Sequence, residues 1–502
     1  MVAQAHAATL NGIDALPIIV EVDLRGGQAK LLIVGLPDKA VQESSERVAT
    51  AIRNSGLTFP NGLLVCNLAP SDVRKEGSGF DLPIAIAILA VSGQVASQTL
   101  RETLIIGELG LDGNLRRIDG AVNIAIMAHQ QGFKRLIVPE SNAPEAAIIP
   151  ELEVYGLKSL LDVVELLNGS ILHQPHVLQI QPTGQADEYP IDFSDVKGQS
   201  QAIRALEIAA AGGHNILMTG PPGSGKTMLA RRLPTILPPL TLEEAIEVTR
   251  VYSSAGEPRD TNGLVWRRPF RSPHHATSYA AIVGGGKTPK PGEVSLAHNG
   301  VLFLDEMPEF GRDVLEALRQ PLEDAVVTVA RVQSTLTFPA ACMLVGAMNP
   351  CPCGFKGYPE ANCIGAAQCL KYGAKISGPL LDRIDLHVNV PRLKPEELTA
   401  IPAGAPSATI RERVITARSA QAQRLGSART NASMTPRDLK SLIQMDDESK
   451  SFMQSAAHKL NLSARVFDRL LKVAQTIADL DHSPKITRSH LAEAVQYRST
   501  NE

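Results

Sequence analysis

The chain has 502 residues, 44% apolar and 20% charged, which excludes a wholly disordered polymer and predicts two to four domains at roughly 100–200 residues each. Lysine plus arginine (49) nearly balances aspartate plus glutamate (52), so the surface as a whole offers nucleic acid no attraction, and any such contact must come from a local patch or a pore. Six cysteines in so long a chain do not make a disulfide framework.

The opening "MVAQAHAATLNGID" has neither the basic start nor the apolar core of a signal peptide. The longest apolar run, Leu82–Val91, falls short of the about 20 residues that a membrane helix needs. A cytoplasmic protein without membrane contact is the expectation. A region of mixed strand and helix over 1–172 ends at a proline-, glycine- and polar-rich linker, 173–190. A region with strand–loop–helix signals follows over 191–400. After a second seam, "IPAGAPSA", comes a helical tail over 405–502, where Val466, Leu470, Val473 and Ile477 recur at helical spacing.

In the second region "HNILMTGPPGSGKTMLARRL" reads as a buried strand (Ile216–Thr219), a glycine loop and a helix from Lys226. Gly220, Gly223 and Gly225, with Pro221, Pro222 and Ser224 between them, let backbone N–H groups turn inward around phosphate oxygens at a helix N-terminus. Lys226 then pairs with the β- and γ-phosphates of ATP, and the Thr227 hydroxyl meets Mg²⁺. Next comes "RRPFRSPHHATSYAAIVGGGKTPKPG". Adjacent His274 and His275 point different ways and make a poor chelating pair. The cations Arg267, Arg268, Arg271, Lys287 and Lys290 bring positive charge, and Gly284–Gly286 give the backbone room to move and to approach phosphates closely. "GVLFLDEMPEF" is a buried strand ending in two carboxylates: Asp305 suits Mg²⁺ through water, and Glu306 suits polarising an attacking water. "AVVTVARVQSTLTFPA" reads as a hairpin, two β-rich runs around a polar turn, with Arg331 near its tip. "CMLVGAMNP" is another buried strand, ending at Asn349, whose amide is placed to orient that water.

The loop that follows carries Cys351, Cys353, Cys363 and Cys369. Four thiolates make a closed zinc site, but the spacing is not the usual pair of C-x-x-C knuckles, so zinc and simple thiols both stay open. In "SGPLLDRIDLHVNV", Arg383 lies between Asp382 and Asp385. It is either a local ion pair or an arginine finger directed at a neighbouring subunit's γ-phosphate. In the tail, Ser463 reads as a helix N-cap that places Arg465 in the first turn, where a cation opposes the helix dipole; either ATP facing it or nearby Asp468 would offset that cost.

These motifs, with "DFSDVKGQSQAIRALEIAAAGGHN", "PKPGEVSLAHNG" and "NPCPCG", resemble the AAA+ ATPases of the magnesium-chelatase group and, within it, the YifB/ComM family. The resemblance implies an α/β protein: a three-layer α/β P-loop core over 191–400 with a C-terminal helical lid, preceded by an α+β domain of Lon-protease fold. It implies a hexameric, ATP- and Mg²⁺-dependent ring acting on single-stranded or branched DNA. The activity it points to is branch migration in recombination during natural transformation. Lys226, Thr227, Asp305, Glu306, Asn349, Arg383 and Arg465 keep the roles given above. The resemblance aims the segment with Lys287 and Lys290, and the hairpin with Arg331, at the central channel of the ring, where their charge would track the DNA backbone. The rival is a chelatase-like motor that remodels a protein partner. The segments "NLAPSDVRKEGSGFDLPIAIAIL" and "GELGLDGNLRRIDGAVNIAIMAH" resemble those that carry the Ser–Lys dyad of Lon-type proteases. Here the nucleophile position falls on Gly79, one place from Ser78, and the lysine position on Val122, so a domain without peptidase chemistry is expected.

Overall fold

The computed structural model describes residues 2–177, 189–257, 263–286, 289–330, 335–354, 366–393, 404–426, 429–460 and 462–498. The chain forms two compact units, Met1–Pro182 with Leu242–Val265, and Thr183–Thr241 with Trp266–Glu502.

The first unit is built on strands that alternate buried and exposed residues. Ala3, Ala5 and Ala7 of β1 (Val2–Asn11) and Ile18, Val20 and Val22 of β2 (Asp14–Arg25) turn to the core. These pair antiparallel, from Val2 opposite Asp23 to Asn11 opposite Asp14. Further along the chain come β3 (Lys30–Val34), β4 (Leu63–Ala69) and β5 (Thr103–Ile105). A short ladder of β6 (Glu108–Leu109) and β7 (Leu115–Arg116) precedes β8 (Arg135–Pro139) and β9 (Glu153–Leu157). The seven-stranded sheet has the order β3-β4-β2-β1-β5-β8-β9. The helix Asp81–Val91 is buried all round except at its last residue, which is why its sequence is almost wholly apolar.

The sequence reading assigned all of 191–400 to the ATPase domain, yet Leu242–Val265 belongs to the first unit. The bonds that hold it there are specific. Asn123 Nδ2 donates to the Arg250 carbonyl (3.0 Å), Ser253 Oγ to Glu145 (2.9 Å), and the Gly120 N–H to the Ser253 carbonyl (3.0 Å). An amphipathic helix does not reveal in its own sequence which core it covers.

The second unit centres on a five-stranded parallel sheet of order β11-β14-β17-β10-β18. Its strands are β10 (Ile216–Thr219), β11 (Phe270–Arg271), β14 (Val301–Leu304), β17 (Met343–Met348) and β18 (Leu386–Asn389). The continuous runs "VLFL" and "MLVGAM" follow from burial on both faces. Two small antiparallel ribbons stand outside the sheet: β12 (Gly284–Gly285) with β13 (Lys290–Pro291), and β15 (Val326–Ala330) with β16 (Thr335–Pro339). The C-terminal helices Ser407–Leu425 and Ala464–Leu480 share one hydrophobic core with the sheet, in which Leu470 and Ile477 join Ile216 and Phe303. Ser463 caps the second of these helices, its Oγ accepting from Val466 N at 3.3 Å.

Candidate nucleotide site

In an open parallel sheet the carboxyl ends of the strands are where ligands bind, and three strands end here side by side. Register sets the arrangement. Thr219 of β10 lies opposite Met348 of β17, so the glycine loop and Asn349 leave the sheet together, and Leu304 of β14 opposite Gly346 brings Asp305 alongside. Lys226 Nζ donates to the carbonyls of Gly220 (2.6 Å) and Pro221 (3.0 Å) and to Asn349 Oδ1 (3.2 Å). Burial lowers its pKa, opposed by the charges of Asp305 and Glu306. Thr227 Oγ1 donates to Asp305 Oδ2 at 2.7 Å.

These residues fit a magnesium nucleotide on their own geometry. Gly223 and Gly225 adopt φ +74° and +93°, which glycine adopts without strain, and a Cβ at Gly223 would meet nothing within 4 Å. At Gly220 a Cβ would lie 2.2 Å from the Val390 carbonyl oxygen, so that position must be glycine. The buried Ser224 Oγ has no partner among the described residues. The acceptors on Lys226 are neutral oxygens, weaker partners for an ammonium than phosphate.

Glu306 is exposed at φ +50°, its N–H bonded to Asp305 Oδ1 (3.0 Å), and its carboxylate lies 3.6 Å from His275 Nδ1, an ion pair when the imidazole is protonated. His275 stacks on His274 at 4.1 Å between ring centres. The histidine pair of the inserted segment thus borders the Glu306 carboxylate, which sequence reasoning missed. Tyr372 was missed too. Burial, then the charges of Glu309 and Glu306, push its phenol up to about 12, against the backbone N–H of Asn349. An isolated tyrosine in a helix gives no sequence signal.

Arg383 and Arg465 meet each other instead of the glycine loop. Arg383 is buried, donates from Nη1 to the Pro379 carbonyl (2.7 Å) and pairs through Nη2 with Glu323 Oε2. Exposed Arg465 reaches Glu323 Oε1 at 3.4 Å. Among the described residues no hydrogen bond or ion pair joins either arginine to Lys226, Thr227, Asp305, Glu306 or Asn349. Asp385, the neighbour considered for Arg383, is bound by Arg469 (2.7 Å) and His214 (3.3 Å) instead.

Two cations of the inserted segment serve the fold. Arg271 grips Glu293 bidentately (2.7 and 2.8 Å), and Arg268 donates to the carbonyls of Pro238 and Asn299. Exposed Arg267 lies over the Tyr189 ring. Lys290 is exposed on β13, opposite Gly285, whereas Lys287 and Arg331 lie outside the described residues.

The Cys351 and Cys353 sulfurs are 3.0 Å apart, and Cys369 is buried on the helix Ala366–Gly373. Cys363 lies outside the described residues, and among those described no three potential ligands converge on a metal position. The four-thiol zinc site is therefore unsupported. The turn nonetheless packs on the glycine loop: at Gly354 (φ +82°) a Cβ would stand 2.4 Å from Pro222.

In the first unit, Ser78 Oγ donates to Glu108 and buried Lys75 donates to the Pro70 carbonyl. Val122 is buried, and a Cβ at Gly79 would lie 3.3 Å from Ile106.

Family models agree with this layout. Residues 192–398 match "Magnesium chelatase, subunit ChlI", 20–142 match "Subunit ChlI of Mg-chelatase", and 404–498 match "Magnesium chelatase, subunit ChlI C-terminal". The chain is 43% identical to competence protein ComM of Haemophilus influenzae, over 99% of this chain and 97% of that one. It is also 43% identical to YifB of Escherichia coli, over 98% and 96%. The chain belongs to the YifB/ComM family of magnesium-chelatase-like AAA+ proteins. A 154-residue stretch is in addition 30% identical to Lon protease 2 of Bacillus subtilis, over 28% of this chain and 26% of that protein. Family membership brings with it the use of ATP and Mg²⁺. Among the described residues no helix is long and apolar enough to cross a membrane.

Proposed function

We propose that this protein is an ATP-hydrolysing DNA motor, working as a hexameric ring in the cytoplasm on single-stranded or branched DNA during recombination. Competence, which the name of its Haemophilus relative carries, supplies the natural-transformation setting. The observation that carries the reading is the split of the catalytic set. Lys226, Thr227, Asp305, Glu306 and Asn349 lie at one end of the sheet, while Arg383 and Arg465 are paired with Glu323. A nucleotide bound at the first group meets Lys226 but, among the described residues, no arginine of its own chain bonded into that group, and a neighbouring copy would provide one.

Bound Mg²⁺ would be held through Thr227 and Asp305 and would neutralise charge on the β- and γ-phosphates. Lys226 exchanges its carbonyl partners for phosphate oxygens, the glycine-loop N–H groups orient the chain of phosphates, and Glu306 accepts the proton of the attacking water while Asn349 orients it. Arg383 of one copy stabilises the charge that develops on the γ-phosphate of the next. Lys287, Lys290 and Arg331 follow the DNA backbone by charge. The Lon-like unit is a retained fold without peptidase chemistry: the hydroxyl beside the nucleophile position answers to a carboxylate, and the base position is apolar.

Strand displacement on a branched DNA, compared between the natural chain and Glu306→Gln, tests the reading. Displacement that requires ATP and disappears in the variant supports it. A second reading, a motor that remodels a protein partner, draws on the chelatase-subunit models. It wins if ATP turnover ignores single-stranded and forked DNA.

A further inference from the structure

The carboxylate that holds the two arginines has no role in hydrolysis as described above. Glu323 lies on the short helix Pro321–Asp324, and each of its oxygens takes one guanidinium, Oε2 from Arg383 and Oε1 from Arg465. The hydrogen bond from Arg383 first, and then the charges of Arg383 and Arg465, hold this carboxyl below the usual range against the effect of burial, so it is an anion at neutral pH. Two arginines around a small oxyanion is the arrangement expected at a γ-phosphate. Arg383 is also incompletely satisfied: its buried Nε has no acceptor among the described residues. A cavity of about 430 Å³ opens beside the cluster, lined by Arg383, Glu323, Glu316, Arg319, Tyr279 and Thr328.

Glu323 is also joined to the hairpin. Ala325, at φ +56°, is the single residue between Asp324 and β15; its N–H bonds the Pro321 carbonyl (2.9 Å), and its own carbonyl accepts from Ala340 N (2.8 Å) just beyond β16. A shift of Glu323 therefore reaches the base of the β15–β16 ribbon through two residues, Asp324 and Ala325.

We infer that Glu323 is a positioning residue: it holds Arg383 and Arg465 in reserve as an exchangeable internal anion, which the γ-phosphate of a neighbouring copy displaces, and its release shifts the base of the hairpin. The inference rests on the reading of Arg383 as a residue supplied in trans. An internal competitor lowers apparent nucleotide affinity by the fraction of arginine that it occupies.

The test uses the full chain with ATP, with and without single-stranded DNA. Glu323→Gln keeps the shape and removes the charge. The expected result is a fall in KM for ATP and a rise in DNA-free turnover, each of about 3- to 10-fold, with a matching loss of stimulation by DNA. Glu323→Asp, which keeps the charge, returns both values toward those of the natural chain, and Glu323→Ala moves them as glutamine does. A merely structural carboxylate gives the opposite: slower turnover at unchanged KM. Arg383→Ala separates the two levels. If it hydrolyses ATP normally, the trans reading falls and takes this inference with it. If it is inactive, yet Glu323→Gln and Glu323→Ala leave KM and DNA-free turnover unchanged or slower, the Glu323 inference alone is overturned.

Discussion

Each unit carries the tripeptide Gly-Ser-Gly ahead of a helix, and the two copies have opposite fates. At Gly77–Gly79 the serine is tied to Glu108, and the following helix begins with a carboxylate of its own. Asp81 is fully buried and bound by Arg47 (2.9 Å), by Ser44 and by the Leu109 N–H (3.3 Å). The place where an anion would settle at that helix N-terminus is filled from within. At Gly223–Gly225 the serine hydroxyl has no partner among the described residues, and the helix begins with Lys226, whose partners are neutral oxygens. A glycine loop before a helix becomes an anion site only where the chain supplies no anion itself.

The sharpest way to break this contrast is at the open loop. Glu306→Gln is expected to slow ATP hydrolysis by about 10²- to 10⁴-fold while leaving nucleotide binding intact, measured as turnover against equilibrium binding of a fluorescent ATP analogue. Full turnover in that variant would place the chemistry elsewhere. At the filled loop the effect moves from rate to stability. Asp81→Asn strips Arg47, itself a quarter exposed, of its buried partner and should cost the first unit about 3 kcal/mol, read as a lower urea midpoint.

Acid offers a third test, at the junction of sheet and lid. Burial first, and then the Arg498 guanidinium, push His387 down to about 4, and its Nε2 lies 3.4 Å from Arg498 Nη1. The imidazole is neutral in the fold but protonates near pH 6.5 in the unfolded chain. Its contribution is complete above pH 6.5 and is lost as pH falls toward 4, a decline of about 3 kcal/mol that His387→Gln should flatten in urea midpoints taken across that range. The smallest effects compare the two serines directly. Ser78→Ala should lower stability by about 1 kcal/mol and leave ATP turnover alone. Ser224→Ala should leave stability alone and weaken ATP binding by about 5-fold, the same energy expressed through a ligand.

The glycine loop, Asp305, Glu306 and Asn349 were legible because each directly follows a short apolar run, and a buried parallel strand has few other ways to end. Ser463 as a cap was legible for the same local reason. Glu323, His275 and Tyr372 were not, since each acts on residues far along the chain and none sits in a pattern. The cations of the inserted segment misled in part: Arg268 and Arg271 look like ligand contacts in sequence, yet are spent on carbonyls and on Glu293.

The sequence by itself determined the strands, the loop chemistry and the family, because these depend on spacing within a few dozen residues. Only the tertiary structure decided that Leu242–Val265 joins the first unit, that one serine is satisfied and the other is not, and that Arg383 and Arg465 converge on a single carboxylate. Those outcomes depend on which distant groups reach hydrogen-bonding range, and in a chain of nearly balanced charge each cation has many candidate partners until packing selects one.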